Sequence, residues 1–163
     1  MAGLDAVQGS LALEKAIGHR FVRADLLEAA LTHKSFAAER MTAHCNERLE
    51  FLGDSILSAV VAHALFERHP DEDEGSLSKR KSVLVSRGSL ARWAADLGLG
   101  AHLQLGAGED SSGGRLRPSI LSNALEAVIG AVYLDGGYSP AAVFIRSWLE
   151  QVECSPDEAD YKS

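Results

Sequence analysis

Apolar positions along the chain recur mainly at helical spacing, and the alternation that a half-buried strand requires is almost absent. "LALEKAIGHRF" and "RADLLEAALTHKSF" each predict a short helix, the second with Asp25 as its N-cap. A longer helix is predicted from Asn46 to Arg68. It ends at "HPDEDEG", where Pro70 and Gly75 bracket an acidic loop. "SLSKRKSVLVS" and "GSLARWAADLG" predict two more helices, each opening on serine and the second closing on Gly98. "GAGEDSSGGRLRP" reads as the clearest loop in the chain. "SILSNALEAVIGAVYL" follows as a helix closed by Gly136 and Gly137. "SPAAVFIRSWLEQV" is the last helix, with the polar tail "ECSPDEADYKS" behind it. Ala, Leu, Glu and Arg dominate this pattern, so the fold class is all-α. Trp93, Phe144 and Trp148 read as core residues.

Composition narrows the picture. A chain of 163 residues is one domain, able to build a core without disulfides or a structural metal. Hydrophobic residues at 46% and charged residues at 24% are ordinary for a soluble protein. No unbroken apolar run approaches the roughly 18 residues of a membrane span. The opening "MAGLDAVQGS" has no basic region followed by an apolar run, so no secretory signal is read there. Cys45 and Cys154 are far apart and match no metal-binding spacing, which fits a reduced, cytoplasmic protein. The net charge of −7 disfavours a generic nucleic-acid binder unless cations offset the acid locally or a basic module is missing.

Within "NERLEFLGDSIL", three carboxylates interrupt an otherwise apolar helix. Glu50 and Asp54 lie about 40° apart around it and Glu47 about 60° from Glu50, so all three share one face. Leu57 and Val61 continue that face, so the acids begin a stripe that becomes apolar. The rest of the helix leaves only a narrow polar edge near Arg48 and Ser55. In "SILSNALEAVIGAVYL", Asn123 and Glu126 similarly share a face with Gly130 and Tyr133. Buried carboxylates are unfavourable unless neutralised or bound to a cation, and two such helices face to face would form an oxygen-ligand cage. Hard oxygen donors without a histidine or cysteine cluster suit Mg²⁺ or Mn²⁺ rather than zinc. Gly53, mid-helix, suggests a close approach by another backbone. On spacing alone, a solvated acidic face and a metal site both remain open.

These residues also carry a resemblance. "NERLEFLGDSIL" resembles the signature motif of bacterial ribonuclease III, the endonuclease that cuts double-stranded RNA. "ALTHKSF" resembles the segment before that signature, and "DEGSLSKRKSVLVS" the segment after it. "SGGRLRPSILSNALEAVIGAVYLDGG" resembles the family's second acidic helix. Together they run from Leu26 to Gly137 in order. The resemblance implies an all-α helical bundle forming a two-fold homodimer, with double-stranded RNA in the valley between subunits. Each subunit would cut one strand, with Mg²⁺ as cofactor and Mn²⁺ as a substitute. The products would carry 5′-phosphates, 3′-hydroxyls and short 3′ overhangs, and the work would be processing of ribosomal and messenger RNA. By the same resemblance Glu50, Asp54, Asn123 and Glu126 are metal positions, with Asp54 and Glu126 catalytic. Glu47 and Glu74 would line the valley, and Phe51 would insert into the partner subunit.

Two departures stand out. Asn123 occupies a position where the family usually has aspartate, and it can offer a carbonyl oxygen but no charge. A catalytically impaired domain that binds structured RNA without cutting is therefore the alternative reading. "DYKS", residues 160–163, resembles the opening of the family's double-stranded-RNA-binding domain. The chain is thus expected to be residues 1–153 of an endonuclease domain, then 154–163 as linker and the start of a missing module. That module would supply basic phosphate contacts and would account for part of the acidity.

Among the cations, Lys79, Arg80 and Lys81, with Arg87 and Arg92, read first as a solvated face and second as RNA contacts. Arg115 and Arg117, after the flexible "SSGG", are favoured as RNA contacts mainly by the resemblance. His33 in "THKS" reads as a hydrogen-bonded structural histidine rather than a catalytic one.

Overall fold

The fold turns on a crossing of two helices whose backbones touch. In this computed structural model, which describes residues 2–153 and side chains from residue 9, helix α8 (Pro118–Gly136) is almost wholly interior. Ala124, Leu125, Val128, Ile129 and Val132 are fully buried, because the helix is apolar around nearly its whole circumference. Helix α4 (Glu47–Arg68) crosses it, held in contact by two glycines. A Cβ built on Gly53 would lie 1.6 Å from the carbonyl oxygen of Glu126, and one on Gly130 would lie 2.5 Å from that of Leu49. The close approach that Gly53 suggested is therefore present, against the backbone of Glu126 and, one turn on, of Gly130.

Seven further helices surround this pair among the described residues: α1 (Ala2–Ile17), α2 (Ala24–Ala30), α3 (Lys34–Glu39), α5 (Glu74–Leu84), α6 (Arg87–Asp96), α7 (Ala107–Ser111) and α9 (Tyr138–Glu153). Helices α2, α6 and α9 pack on α8, and α9 also packs on α4. Trp93 of α6 stacks on Trp148 of α9 with ring centroids 4.3 Å apart, and Phe144 lies 4.8 Å from Trp93, so the three aromatics are core residues as expected. Asp135, near the end of α8, accepts from His19 Nε2 at 2.8 Å and from the backbone N–H groups of Val22 and Arg23. Burial alone would raise the pKa of that carboxyl, but the bonds from Arg23, His19 and Val22 outweigh it and hold the group below the usual range.

Several local expectations are corrected. "RADLLEAALTHKSF" is two helices, not one. Between them the chain turns out to meet Gln104, with His33 N–H bonded to Gln104 O at 3.0 Å and Gln104 N–H to Leu31 O at 2.8 Å. Asp25 lies inside α2 and makes no cap, since Arg23 occupies the N-cap position. Helix α5 opens on Asp73 rather than serine, its carboxylate accepting from Ser76 N, and α6 opens on Ser86, two residues before the expected stretch. The segment expected as the clearest loop contains α7 and a 3₁₀ turn (Gly114–Leu116). Arg115 ties it down through Asp110 and the carbonyls of Gly100 and Leu103, bonds that no local pattern announces. The polar tail lies outside the described residues apart from Glu153.

Helix α4 is also less enclosed than its composition suggests. By length and mean hydropathy (1.5) it is the one described helix that could cross a membrane. Its Leu57, Val60, Val61, Ala64 and Leu65 instead form the core face. The opposite edge runs through Phe51, Ser55, Ala59, Ala62 and Phe66 and is exposed; Phe51 and Phe66 keep 80% and 71% of their surface accessible. The narrow polar edge expected near Arg48 and Ser55 is thus a broad, largely apolar stripe.

Gly53→Ala is expected to force α4 and α8 apart, because the new methyl meets backbone rather than a flexible side chain. The loss should reach about 3 kcal/mol or more in urea unfolding, at the upper end for overpacking. Gly88→Ala, where nothing lies within 4 Å, should be close to neutral.

Candidate active site

Because the crossing seats Gly53 on the backbone of Glu126, the next residue, Asp54, faces the Glu126 side chain and shares a hydrogen bond with it. Glu50 stands one turn earlier on α4, within reach of both charges, and Glu47 adds its own charge to Glu50. Two carboxylates can share such a bond only with a proton between them. Burial raises the Glu126 pKa, the hydrogen bond and charge of Asp54 raise it further, and Glu50 adds to the effect; together they push it up to about 8. The Glu50 pKa is raised too, by burial first and then by Glu47 and Asp54, with Lys34 partly opposing. Asp54 and Glu47 are exposed, so the group opens to solvent.

Asn123 lies one turn before Glu126 on α8, half-buried. With Glu47 and Glu50 it lines a cleft of about 250 Å³, whose other walls include His33, Lys34, Asn46, Glu109, Arg117 and Ser119. Asn46 is buried and donates from Nδ2 to Ala30 O at 3.2 Å, while its N–H bonds Thr32 O at 2.9 Å. Those bonds anchor the start of α4 to the turn after α2. His33 accepts at Nδ1 from Ser35 N–H, capping α3, and Ser35 Oγ, which itself accepts from Gly106 N–H, is 2.7 Å from the same nitrogen. Burial, then the charge of Lys34, lowers the His33 pKa, consistent with a neutral structural ring.

The structure thus brings Glu47, Glu50, Asp54, Asn123 and Glu126 to one region. Glu74 is elsewhere: it opens α5, accepts from Ser78 Oγ at 3.1 Å, and is not among the charges acting on Glu50 or Glu126. The favoured basic residues are largely engaged internally. Arg80 makes bonds of 2.8 and 3.0 Å to Glu72, Arg115 is held as described above, and Arg117 pairs with Glu109 and bonds Ser112. Lys79 is exposed. Lys34, which sequence reasoning passed over, lies in the cleft wall; its position after His33 in "THKS" was the available signal.

The donor set fits a hard divalent cation. Three neighbouring carboxylates, one with its pKa pushed up to about 8 by burial first and then by the acids beside it, would be relieved by positive charge. Among the described residues no three His, Cys, Asp or Glu side chains converge tightly enough to enclose a metal by themselves. Remaining oxygens would come from the Asn123 carbonyl, water or substrate, as suits Mg²⁺.

The fold has known counterparts. The nuclease domain of ribonuclease III from Campylobacter jejuni superposes with a TM-score of 0.82 at 41% identity, covering 86% of this chain and 95% of that one. The fold is therefore that of a ribonuclease III nuclease domain. The ribonuclease-III-like domain family matches residues 23–152. Ribonuclease 3 of Bdellovibrio bacteriovorus is 47% identical over 162 residues, covering 96% of this chain and 69% of the relative. Ribonuclease 3 of Variovorax paradoxus is 49% identical over 148 residues, covering 91% of this chain and 63% of the relative. The chain belongs to the ribonuclease III family, and it spans about two thirds of the length of these curated relatives.

The raised Glu126 pKa has a measurable consequence. Glu126 ionises near 4.5 when unfolded and near 8 when folded, so the native state holds the extra proton between those values. Native stability attributable to this group is full below about pH 4.5 and is lost as pH rises through 8. Metal-free protein should therefore melt at a lower temperature at pH 8.5 than at pH 6, and Glu126→Gln should shrink that difference. Equal pH dependence in both proteins, by calorimetry, would show that Glu126 does not carry the proton.

Proposed function

We propose that this chain is the endonuclease domain of a ribonuclease III that hydrolyses double-stranded RNA, working as a homodimer with Mg²⁺, or Mn²⁺ in its place. The observation that carries the proposal is the Asp54–Glu126 pair, with Glu50 beside it, built by backbone contact between two helices in a chain of this family. Glu50, Asp54 and Glu126 would hold the cation, with the neutral oxygen of Asn123 at the margin. When bound, the cation stabilises charge on a phosphodiester under attack and acidifies water. The chain's own part is positional. The α4–α8 contact fixes the carboxylates before substrate arrives, so little reorganisation accompanies reaction. Asp54 and Glu126, once ionised, become acceptors for protons from attacking water. Water attack at phosphorus with departure of the 3′-oxygen leaves 5′-phosphate and 3′-hydroxyl ends, and short 3′ overhangs follow if two protomers cut opposite strands. A protein of this kind would act in the cytoplasm on ribosomal and messenger RNA precursors.

The dimer reading rests on Phe51. A phenylalanine that keeps 80% of its surface accessible, on a stripe shared with Phe66, is unusual on a monomer and suits an isologous contact. The Campylobacter jejuni nuclease domain is described as having a region involved in dimer formation. Phe51→Asp should weaken self-association by about 2 kcal/mol or more, the scale of an interface anchor, and sedimentation should then show monomer.

Long double-stranded RNA, incubated with Mg²⁺, with Mn²⁺ and with a chelator, tests the activity. Metal-dependent trimming to short duplexes is expected, and Glu126→Gln should slow it by roughly 10²-fold or more, the scale for losing one stabilising group. Asn123→Asp should lower the Mg²⁺ concentration needed, because it adds a charge where asparagine has none. Binding without cleavage by both the parent and Asn123→Asp proteins would favour the alternative, an impaired RNA-binding domain.

A further inference from the structure

The cleft beside the carboxylates has walls of opposite sign. Its lining takes Glu47 and Glu50 from α4, His33 and Lys34 from the start of α3, and Arg117 from the start of α8, with Glu109 paired to Arg117. Two of the three basic groups are already committed. Arg117 pairs with Glu109 and bonds the carbonyl and hydroxyl of Ser112, so part of its charge is already met by the protein even though its side chain stays 41% accessible. The Nδ1 of His33 is occupied by Ser35 N–H at 3.1 Å. Lys34 has neither a hydrogen bond nor an ion pair among the described residues. It is exposed, yet its charge is felt at Glu50 on one side and His33 on the other.

We propose that Lys34 is the phosphate-binding cation of this cleft, gripping the RNA backbone beside the carboxylates, while Arg115 and Arg117 act as internal struts. The inference rests on the RNA-cleaving reading above and names one contact within it. At about 250 Å³ the cleft would hold several waters at roughly 30 Å³ each, enough for a phosphate group to replace some of them. An ammonium on a flexible stem can follow a backbone phosphate as a point charge, without the fixed geometry that guanidinium pairing demands. A cation is also needed there. Glu47 lines the cleft but lies outside the proposed cation's ligand set, so a phosphate entering there meets its charge, and Lys34 in the same lining offsets it. The motif "THKS" thereby divides its work: Thr32, His33 and Ser35 hold the turn through Gln104 and Gly106, and Lys34 faces outward.

Salt dependence of RNA binding tests this. Binding of a double-stranded RNA with Mg²⁺ would be titrated against salt in the Glu126→Gln background, so that affinity is read without cleavage. Lys34→Gln, Lys34→Arg and the control Lys15→Gln, on α1, would be compared. The expected result is a slope of log affinity against log salt shallower by about 0.9 for each Lys34 that meets a phosphate, with Lys34→Arg retaining the parent slope. Lys15→Gln should leave the slope unchanged, and thermal melting should be unaltered in all three because Lys34 has no internal partner. A parent slope in Lys34→Gln, or a shift no larger than that of Lys15→Gln, overturns the assignment of Lys34 alone. Failure of the parent protein to bind double-stranded RNA at all overturns the functional reading and the contact with it.

Discussion

Backbone contact between α4 and α8 is the constraint on which the rest depends. Two glycines, Gly53 and Gly130, remove the side chains that would otherwise separate these helices, and each lets a carbonyl of the other helix into its place. The same contact does two things at once. It closes the core around Leu57, Val61, Leu125 and Ile129, and it brings Asp54 opposite Glu126. Packing and chemistry are therefore not separable here, since loosening the crossing would move both carboxylates.

That arrangement stores electrostatic tension in the metal-free protein. Apolar burial on α8 supplies the stability that lets Glu126 sit beside two acids, and the protein meets the repulsion by retaining a proton. The proposed cation would relieve the same repulsion without the proton. The site is thus poised between two ways of neutralising itself, and rigid helices rather than loops hold it in that state.

The basic residues show the complementary economy. Arg80, Arg115 and Arg117 are spent on holding segments in place, around the acidic turn and the α7 segment. On the proposed reading, Lys34 is the cation left for RNA near the site, and the exposed stripe through Phe51 and Phe66 is the surface left for a second protomer. An acidic chain of net charge −7 can still approach RNA because repulsion is decided locally, over about a Debye length of 8–10 Å at ordinary ionic strength.

Much was legible before any coordinates. Helical periodicity identified the all-α class, a long helix from Asn46 to Arg68 that is found at Glu47–Arg68, and the stop at Gly136 and Gly137, because 3.6-residue patterning and glycine punctuation are local properties. The spacing of Glu47, Glu50 and Asp54 likewise placed them on one face, and Gly53 pointed to a close backbone neighbour. Capping was read less well: Asp25 has the right chemistry for an N-cap, yet the turn geometry gave that place to Arg23. The break at Thr32 and the order of the 106–117 segment come from Gln104 and from carbonyls at residues 100 and 103, partners distant in sequence. Residue types and periodicity determined which helices form and which acids share a face. Only the tertiary structure decided that Asp54 meets Glu126, and that Arg80, Arg115 and Arg117 are tied to neighbouring segments while Lys34 is not, because pairing between distant residues depends on how closely their backbones can approach.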